Sequence, residues 1–340
     1  MKNTLNKFIY LFSRKISIYL FDKMLNNTTS YKHILLINWY GKIGDAIISS
    51  FLITEIKKKT NLQISVITTD SLKSIYEDYG VNNIFTIKLN HSYKDIYKLS
   101  SKLKDVDIVI PLLGTLGFKD LFFINLIQPN LVFSTDKTLK LTNKNFLEEI
   151  KNKQVDEIYK IILQHLKVKN INTNYIIPLI KTSVKDYYDI AFNPFGSRDN
   201  KSLSINKSIS LLKDISMKFP TYKIIILYSP KTKYLTKIIS KKVDNKNIKI
   251  AKNIQNIEDS INIIHNSNIL ISVDTSLVHI AIGLNKKQIA IYHKKNDEYN
   301  IWLPKKSSNT MIIFSKYKVK NMDYFNNSKV LSYVKFLEDI

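Results

Sequence analysis

Short apolar runs alternate along this chain with longer stretches of helical spacing. His33-Ile-Leu-Leu-Ile-Asn38 ends in a polar residue and reads as a buried strand; residues 43–58 follow with helical spacing. Ile64-Ser-Val-Ile-Thr68 and Asp107-Ile-Val-Ile-Pro111 predict further strands. Strands separated by helices argue for a parallel sheet with right-handed crossovers. The alternation restarts near residue 189, with strands at 189–193, 222–228, 268–273 and 288–292 and helices at 205–219, 257–265 and 276–284. The pattern predicts an α/β chain of two Rossmann-like halves, 33–180 and 181–325, joined near 170–187. A last helix at about 328–338, within 326–340, is expected to cross back to the first half.

Residues 1–32 stand apart. Leu5, Phe8, Phe12, Ile16 and Tyr19 fall near helical spacing, and six basic residues (Lys2, Lys7, Arg14, Lys15, Lys23, Lys32) oppose Asp22 alone, a net +5. A basic, aromatic-rich amphipathic helix can lie in the headgroup region of an anionic bilayer, or pack on its own protein. Inner-leaflet contact through residues 1–30 is one expectation. No run reaches the roughly 18 apolar residues of a spanning helix, and no signal-peptide cleavage site follows. A cytoplasmic protein, peripheral on the inner face of the cytoplasmic membrane, is expected.

Composition adds two constraints. The 340 residues contain no cysteine, which removes disulfides, thiolate metal sites and a cysteine nucleophile. The net charge of +24 suits an anionic partner, yet the wealth of Lys, Ile and Asn also fits the codon bias of an AT-rich genome. No helix-turn-helix, zinc-finger or RNP pattern points to nucleic acid.

Three strand-to-helix turns carry polar clusters, at the strand ends where open parallel sheets bind ligands. In the first, Asn38-Trp-Tyr-Gly-Lys-Ile-Gly-Asp45, two of seven glycines fall in one turn. Gly41, Lys42 and Gly44 could contact phosphate or acceptor, and Asp45 could act as a base or simply cap the helix. A base at a helix start needs partial burial to offset the helix dipole. The second is Asn193-Pro-Phe-Gly-Ser-Arg-Asp-Asn-Lys201, where Gly196 and Ser197 offer donors and Arg198 and Lys201 offer charge. The third is Ser272-Val-Asp-Thr-Ser-Leu-Val-His279, where Asp274, Thr275 and Ser276 open a helix and His279 shares a face with Thr275. A polar loop, a helix cap and a core histidine are the plain readings of these two. There is no dinucleotide fingerprint, no P-loop and no paired-histidine metal motif. Asp105-Val-Asp107 has the spacing of a cation-binding pair, but Asp107 opens a strand and reads as structural.

In that order, the three turns resemble glycosyltransferase family 9, the ADP-heptose–lipopolysaccharide heptosyltransferases, over about residues 33–305. The third turn, Asp274-Thr-Ser-Leu-Val-His279-Ile-Ala281, carries the most specific match. The resemblance implies a GT-B fold of two facing Rossmann-like domains, the first for the acceptor and the second for the nucleotide sugar. It implies inverting, metal-independent transfer with no cofactor. Asp45 would be the catalytic base; Lys201, His279 and the helix start at Thr275 would hold the donor diphosphate. A nucleotide-diphosphate sugar (ADP-heptose first) would be the donor and an anionic lipid-linked glycan the acceptor.

The chain departs from the family at Ser276, in place of a glycine, and at His293-Lys294-Lys295, in place of a Gly-Pro-Thr turn. Tyr228-Ser-Pro-Lys-Thr-Lys233 lacks the acidic ribose contact, and Gln255 stands where an apolar residue often meets adenine. Another nucleotide sugar stays open as donor. So do a nucleotide-sugar epimerase and a non-catalytic basic binding protein.

Overall fold

A computed structural model describes residues 2–25, 30–112, 114–178, 186–293, 301–316 and 321–339, with side chains from Phe8 onward. The chain divides into two compact units, Met1–Asn174 and Tyr175–Ile340. Lys294 and Lys295, part of the expected join near 170–187, and the side chains of Lys2, Leu5 and Lys7 lie outside the described residues.

The first unit runs α1 (Lys2–Phe21), β1 (His33–Ile37), α2 (Ile43–Lys59), β2 (Gln63–Thr68), α3 (Lys73–Asp78), β3 (Asn83–Thr86), α4 (Tyr93–Ser100), β4 (Ile108–Pro111), α5 (Phe118–Ile127), β5 (Leu131–Val132), α6 (Lys144–Glu149) and α7 (Val155–His165). Its strands pair in parallel in the order β3-β2-β1-β4-β5. All five residues of β1 are buried, as a central strand covered on both faces requires. Leu35, Ile37, Trp39 and Ile67 meet Leu121, Phe123 and Ile124 of α5 in one core cluster.

Asp107 is structural, as its place before β4 predicts. Its carboxylate accepts from the N–H groups of Lys32 (2.8 Å) and His33 (3.0 Å) and from the Asn130 amide (2.8 Å).

The N-terminal segment is part of this unit. Helix α1 packs on α5. The Arg14 guanidinium donates to the Asp136 carboxylate at 2.6 Å, to Thr138 Oγ1 at 2.7 Å and to the Leu116 carbonyl at 3.1 Å. Just past the helix, Asp22 accepts from the N–H groups of Lys140 and Leu141.

The second unit runs β6 (Tyr188–Asn193), α8 (Ile205–Lys218), β7 (Ile224–Ile226), α9 (Lys233–Val243), β8 (Ile248–Ile250), α10 (Ile257–His265), β9 (Ser267–Val273), α11 (Ser276–Gly283), β10 (Lys287–His293), β11 (Thr310–Ser315) and α12 (Asn327–Glu338). The sheet order is β11-β10-β9-β6-β7-β8, all parallel. Counted from its own first strand, this is the 3-2-1-4-5-6 order of a doubly wound dinucleotide-type sheet; the first sheet repeats its 3-2-1-4-5 part. Both units are therefore the α/β class that the alternation predicts.

Helix α12 differs from expectation. It packs on α8, β10 and β11 of its own unit, with Val330, Val334 and Leu337 buried in that core. Its apolar stripe is satisfied beside β11, a strand that the sequence reading did not include.

Candidate functional site

In a sheet of this order the strands either side of the reversal point part their loops and leave a crevice beyond their carboxyl ends. The reversal lies between β1 and β4 in the first unit and between β6 and β9 in the second. All three polar turns of the sequence leave one of these strands.

Beyond β1 one buried amide closes the turn. Asn38 accepts from the Lys42 N–H at 3.0 Å and donates to the Lys42 carbonyl (3.0 Å) and the Tyr76 hydroxyl (2.8 Å). Gly41 sits at φ +63°, in the left-handed region, and a Cβ there would stand 3.1 Å from Thr69 Oγ1. Glycine is the residue that this tight turn admits. The chain then enters α2 behind Lys42, whose side chain does not cap it. Gly44 and Asp45 lie in the first helical turn, and Lys42 is exposed.

Asp45 is buried, and burial lifts its carboxyl to about 7, against a smaller downward pull from the Lys42 charge. The burial that a base at this position needs is present. A carboxyl near neutrality can both accept and return a proton.

Asp120, which sequence reasoning passed over, lies beside the same turn. It accepts from Trp39 Nε1 (2.9 Å), the Tyr40 hydroxyl (3.3 Å) and the Gly117 N–H (2.8 Å). Burial raises its carboxyl to about 6, even against those hydrogen bonds. An aspartate three residues past a glycine, ahead of an apolar run, is a helix-start pattern, the one signal that could have drawn attention to it.

In the second unit the loop after β6 folds tightly. A Cβ on Gly196 would collide with the Lys201 carbonyl oxygen, so the close approach of 196 to 201 depends on glycine. Ser202 Oγ ties the loop by accepting from the Gly196 N–H and donating to the Arg198 carbonyl, both at 2.9 Å. Ser197 and Arg198 are left exposed.

Lys201 pairs with Asp274 at 2.5 Å across the β6–β9 reversal. Asn193 bridges the same gap, donating to Ser272 Oγ (3.0 Å) and Thr275 Oγ1 (3.3 Å). Thr275 caps α11 by accepting from the Leu277 N–H, and Ser276 is the first helical residue. His279 is buried one turn on. Burial, and then the Lys201 charge, push its imidazole down to about 4, so the ring is neutral at pH 7. Its Nδ1 has no hydrogen-bond partner among the described residues.

Lys201, Asp274, Thr275, Ser276 and His279 thus converge, with Gly196 shaping the loop that brings Lys201 in. A lysine beside the positive end of a helix dipole is a place for an anion. Among the described residues, no three His, Cys, Asp or Glu side chains cluster as a metal cage, and no helix is long and apolar enough to cross a membrane.

Residues 151–330 match the model of glycosyltransferase family 9 (heptosyltransferase). That stretch holds both second-unit turns; Asp45 precedes it. A protein of Escherichia coli (strain K12), provisionally named lipopolysaccharide heptosyltransferase 4, is 24% identical over 349 residues, 95% of this chain and 91% of that one. The solved family 9 glycosyl transferase of Veillonella parvula DSM 2008 has a TM-score of 0.71 at 14% identity, over 93% of this chain and 100% of its own. The E. coli heptosyltransferase WaaC with ADP-2-deoxy-2-fluoro heptose has a TM-score of 0.65 at 12% identity, over 91% and 100%. These two likenesses concern the fold, which is GT-B.

Proposed function

This chain belongs to glycosyltransferase family 9, the heptosyltransferases, and is a glycosyltransferase; from that premise we propose that it moves heptose from ADP-heptose onto an anionic, lipid-linked glycan of the lipopolysaccharide core kind, with inversion and without a metal. In this reading the enzyme works on the cytoplasmic side.

The observation that carries the reading is Asp45, a buried carboxyl near neutrality at the crevice end of β1. Asp45 takes the proton of an acceptor hydroxyl as that oxygen bonds to the anomeric carbon of the donor. The bond from the anomeric carbon to the diphosphate oxygen breaks, and its electron pair leaves with the nucleoside diphosphate. Lys201, the Thr275 hydroxyl and the N–H groups opening α11 meet the growing charge; His279, being neutral, contributes a hydrogen bond rather than a cation. Gly196 and Ser197 line the donor loop, and Arg198, Gly41, Lys42 and Gly44 are further contacts for phosphate or acceptor. The choice of an ADP-sugar leans on WaaC, which has been solved with an ADP-heptose analogue.

The test is binding and turnover of ADP-, UDP-, GDP- and CDP-sugars in the presence of EDTA. We expect selective binding of the ADP-sugar. Asp45→Ala should keep binding and lose about 100-fold or more in turnover. Lys201→Ala should weaken binding about tenfold. Selective turnover of a UDP- or GDP-sugar would overturn the donor; binding of none would overturn the transferase mechanism.

A further inference from the structure

Helix α1 turns the wrong face to solvent for a helix that only packs on its own protein. Its inward side carries Arg14, Ser17, Ile18 and Phe21, fixed by the Arg14–Asp136 pair and by α5. Its outward side is apolar apart from Lys15, whose long stem can carry its charge clear of the surface. Phe8 is 67% exposed, Phe12 59% and Tyr19 89%, at spacings of four and seven residues that align them on one stripe. Ile9, Ile16 and Leu20 flank the stripe, and Met24 beyond the helix is 83% exposed. A surface helix ordinarily buries its apolar stripe, and a contiguous exposed one marks an interaction site.

On the inward side Phe21 packs against Phe118 and Phe122 of α5, and the half-exposed Tyr93 of α4 packs against the same two rings, which anchors the helix. Charge selects the occupant. Lys15 and Lys23 are exposed on the segment itself, and Lys137 and Lys140 are exposed on the loop that Arg14 and Asp22 grip. The one acidic residue of the segment, Asp22, is buried and spent on the Lys140 and Leu141 amides. Aromatic and aliphatic residues on one face, with exposed lysines on the same segment and on the loop it grips, match the acyl edge and the anionic headgroups of a bilayer.

We propose that the outward face of α1 docks the protein on an anionic lipid surface, its phenylalanines entering the acyl boundary and Lys15, Lys23, Lys137 and Lys140 meeting lipid phosphates. Tyr10 of the same helix lies against Gly117, whose N–H holds Asp120 beside the Asn38–Asp45 turn. If the transferase reading holds, docking brings that turn to the membrane that carries the acceptor; the docking itself does not rest on that reading.

The experiment is co-sedimentation of the full chain with vesicles of phosphatidylglycerol and phosphatidylcholine, and with phosphatidylcholine alone, without nucleotide or acceptor. The native chain should pellet with the anionic vesicles and release as salt rises. The triple variant Phe8→Ser, Phe12→Ser, Tyr19→Ser should lose about tenfold or more in partitioning, with an unchanged melting temperature. Lys23→Glu with Lys137→Glu, both outside α1 and its apolar stripe, should lose the preference for phosphatidylglycerol. No pelleting of the native chain at low salt, or equal pelleting of the triple variant, overturns the proposal. So does a native dimer that the triple variant dissociates while neither binds vesicles, which would give the face to a second copy of the chain.

Discussion

A buried carboxyl that titrates near neutrality lowers the stability of the fold wherever it is charged. Asp45 has this property: burial lifts it to about 7, while in the unfolded chain it titrates near 4. Between those values the native chain keeps a proton that the unfolded chain has lost. The stabilisation is complete below about pH 4 and is lost as pH rises through about 7, at up to about 1.4 kcal/mol per pH unit. Asp45→Asn removes the titration, so at pH 8 the variant should be more stable than the native chain by about 1–3 kcal/mol. At pH 5 the difference should be smaller; urea melts at the two pH values measure it. If Asp45 is the base, the kcat/KM of the native enzyme should rise with pH through about 7. A variant less stable at pH 8 would mean that the carboxylate is held by partners rather than merely buried. The sequence identified Asp45 as a candidate because a glycine-rich turn delivers it to a helix start. It could mark Asp120 only as a carboxylate at a helix start, because its place beside this turn arises from Trp39 and Tyr40 folding back onto a residue some 80 positions away.

Loops and helices here depend on a few contacts that single changes can remove. Gly196→Ala places a methyl group against the Lys201 backbone and should force the 196–201 loop open. Overpacking of this kind costs about 1–3 kcal/mol. We expect nucleoside diphosphate affinity to fall about tenfold or more, read by calorimetry, because Lys201 loses its place beside Asp274. Unchanged affinity would show that Lys201 reaches its ligand from an open loop as well. On α1, Arg14→Ala strips three hydrogen bonds from a part-buried cluster, including the one to Asp136. Burial alone would raise that carboxyl; its bonds to Thr138, Arg14 and Leu116 outweigh it and hold it low. The loss should cost roughly 1–3 kcal/mol and speed amide exchange in α1 before it does in β1. Elements with strong periods, such as β1, α2, β6 and α11, were readable to within a residue or so at each end. Strands β3, β5, β8 and β11 were not, since two to six residues without a flanking signal take their conformation from the neighbouring strand. Helix α12 was readable as a helix but not in its partner, because an apolar stripe does not state what will cover it.

At the scale of the molecule, each unit carries its own sheet and its own core, and each can therefore open on its own. A ligand that binds only one of them stabilises that one by mass action. The side chains that we assign to the donor, Lys201, Asp274, Thr275 and His279, all belong to Tyr175–Ile340. ADP at a hundred times its dissociation constant should add about 2.7 kcal/mol to the unit that holds it. Hydrogen exchange resolves where that energy goes: amides of β6, β9 and α11 should gain protection, while those of β1, β2 and α2 should hardly change. In Lys201→Ala, compared at the same ADP concentration, the gain should shrink with the lost affinity. Equal gains in both units would mean that they open as one cooperative body. A gain confined to Met1–Asn174 would move the nucleotide to the turn around Asp45 and exchange the roles that we assign to the two units.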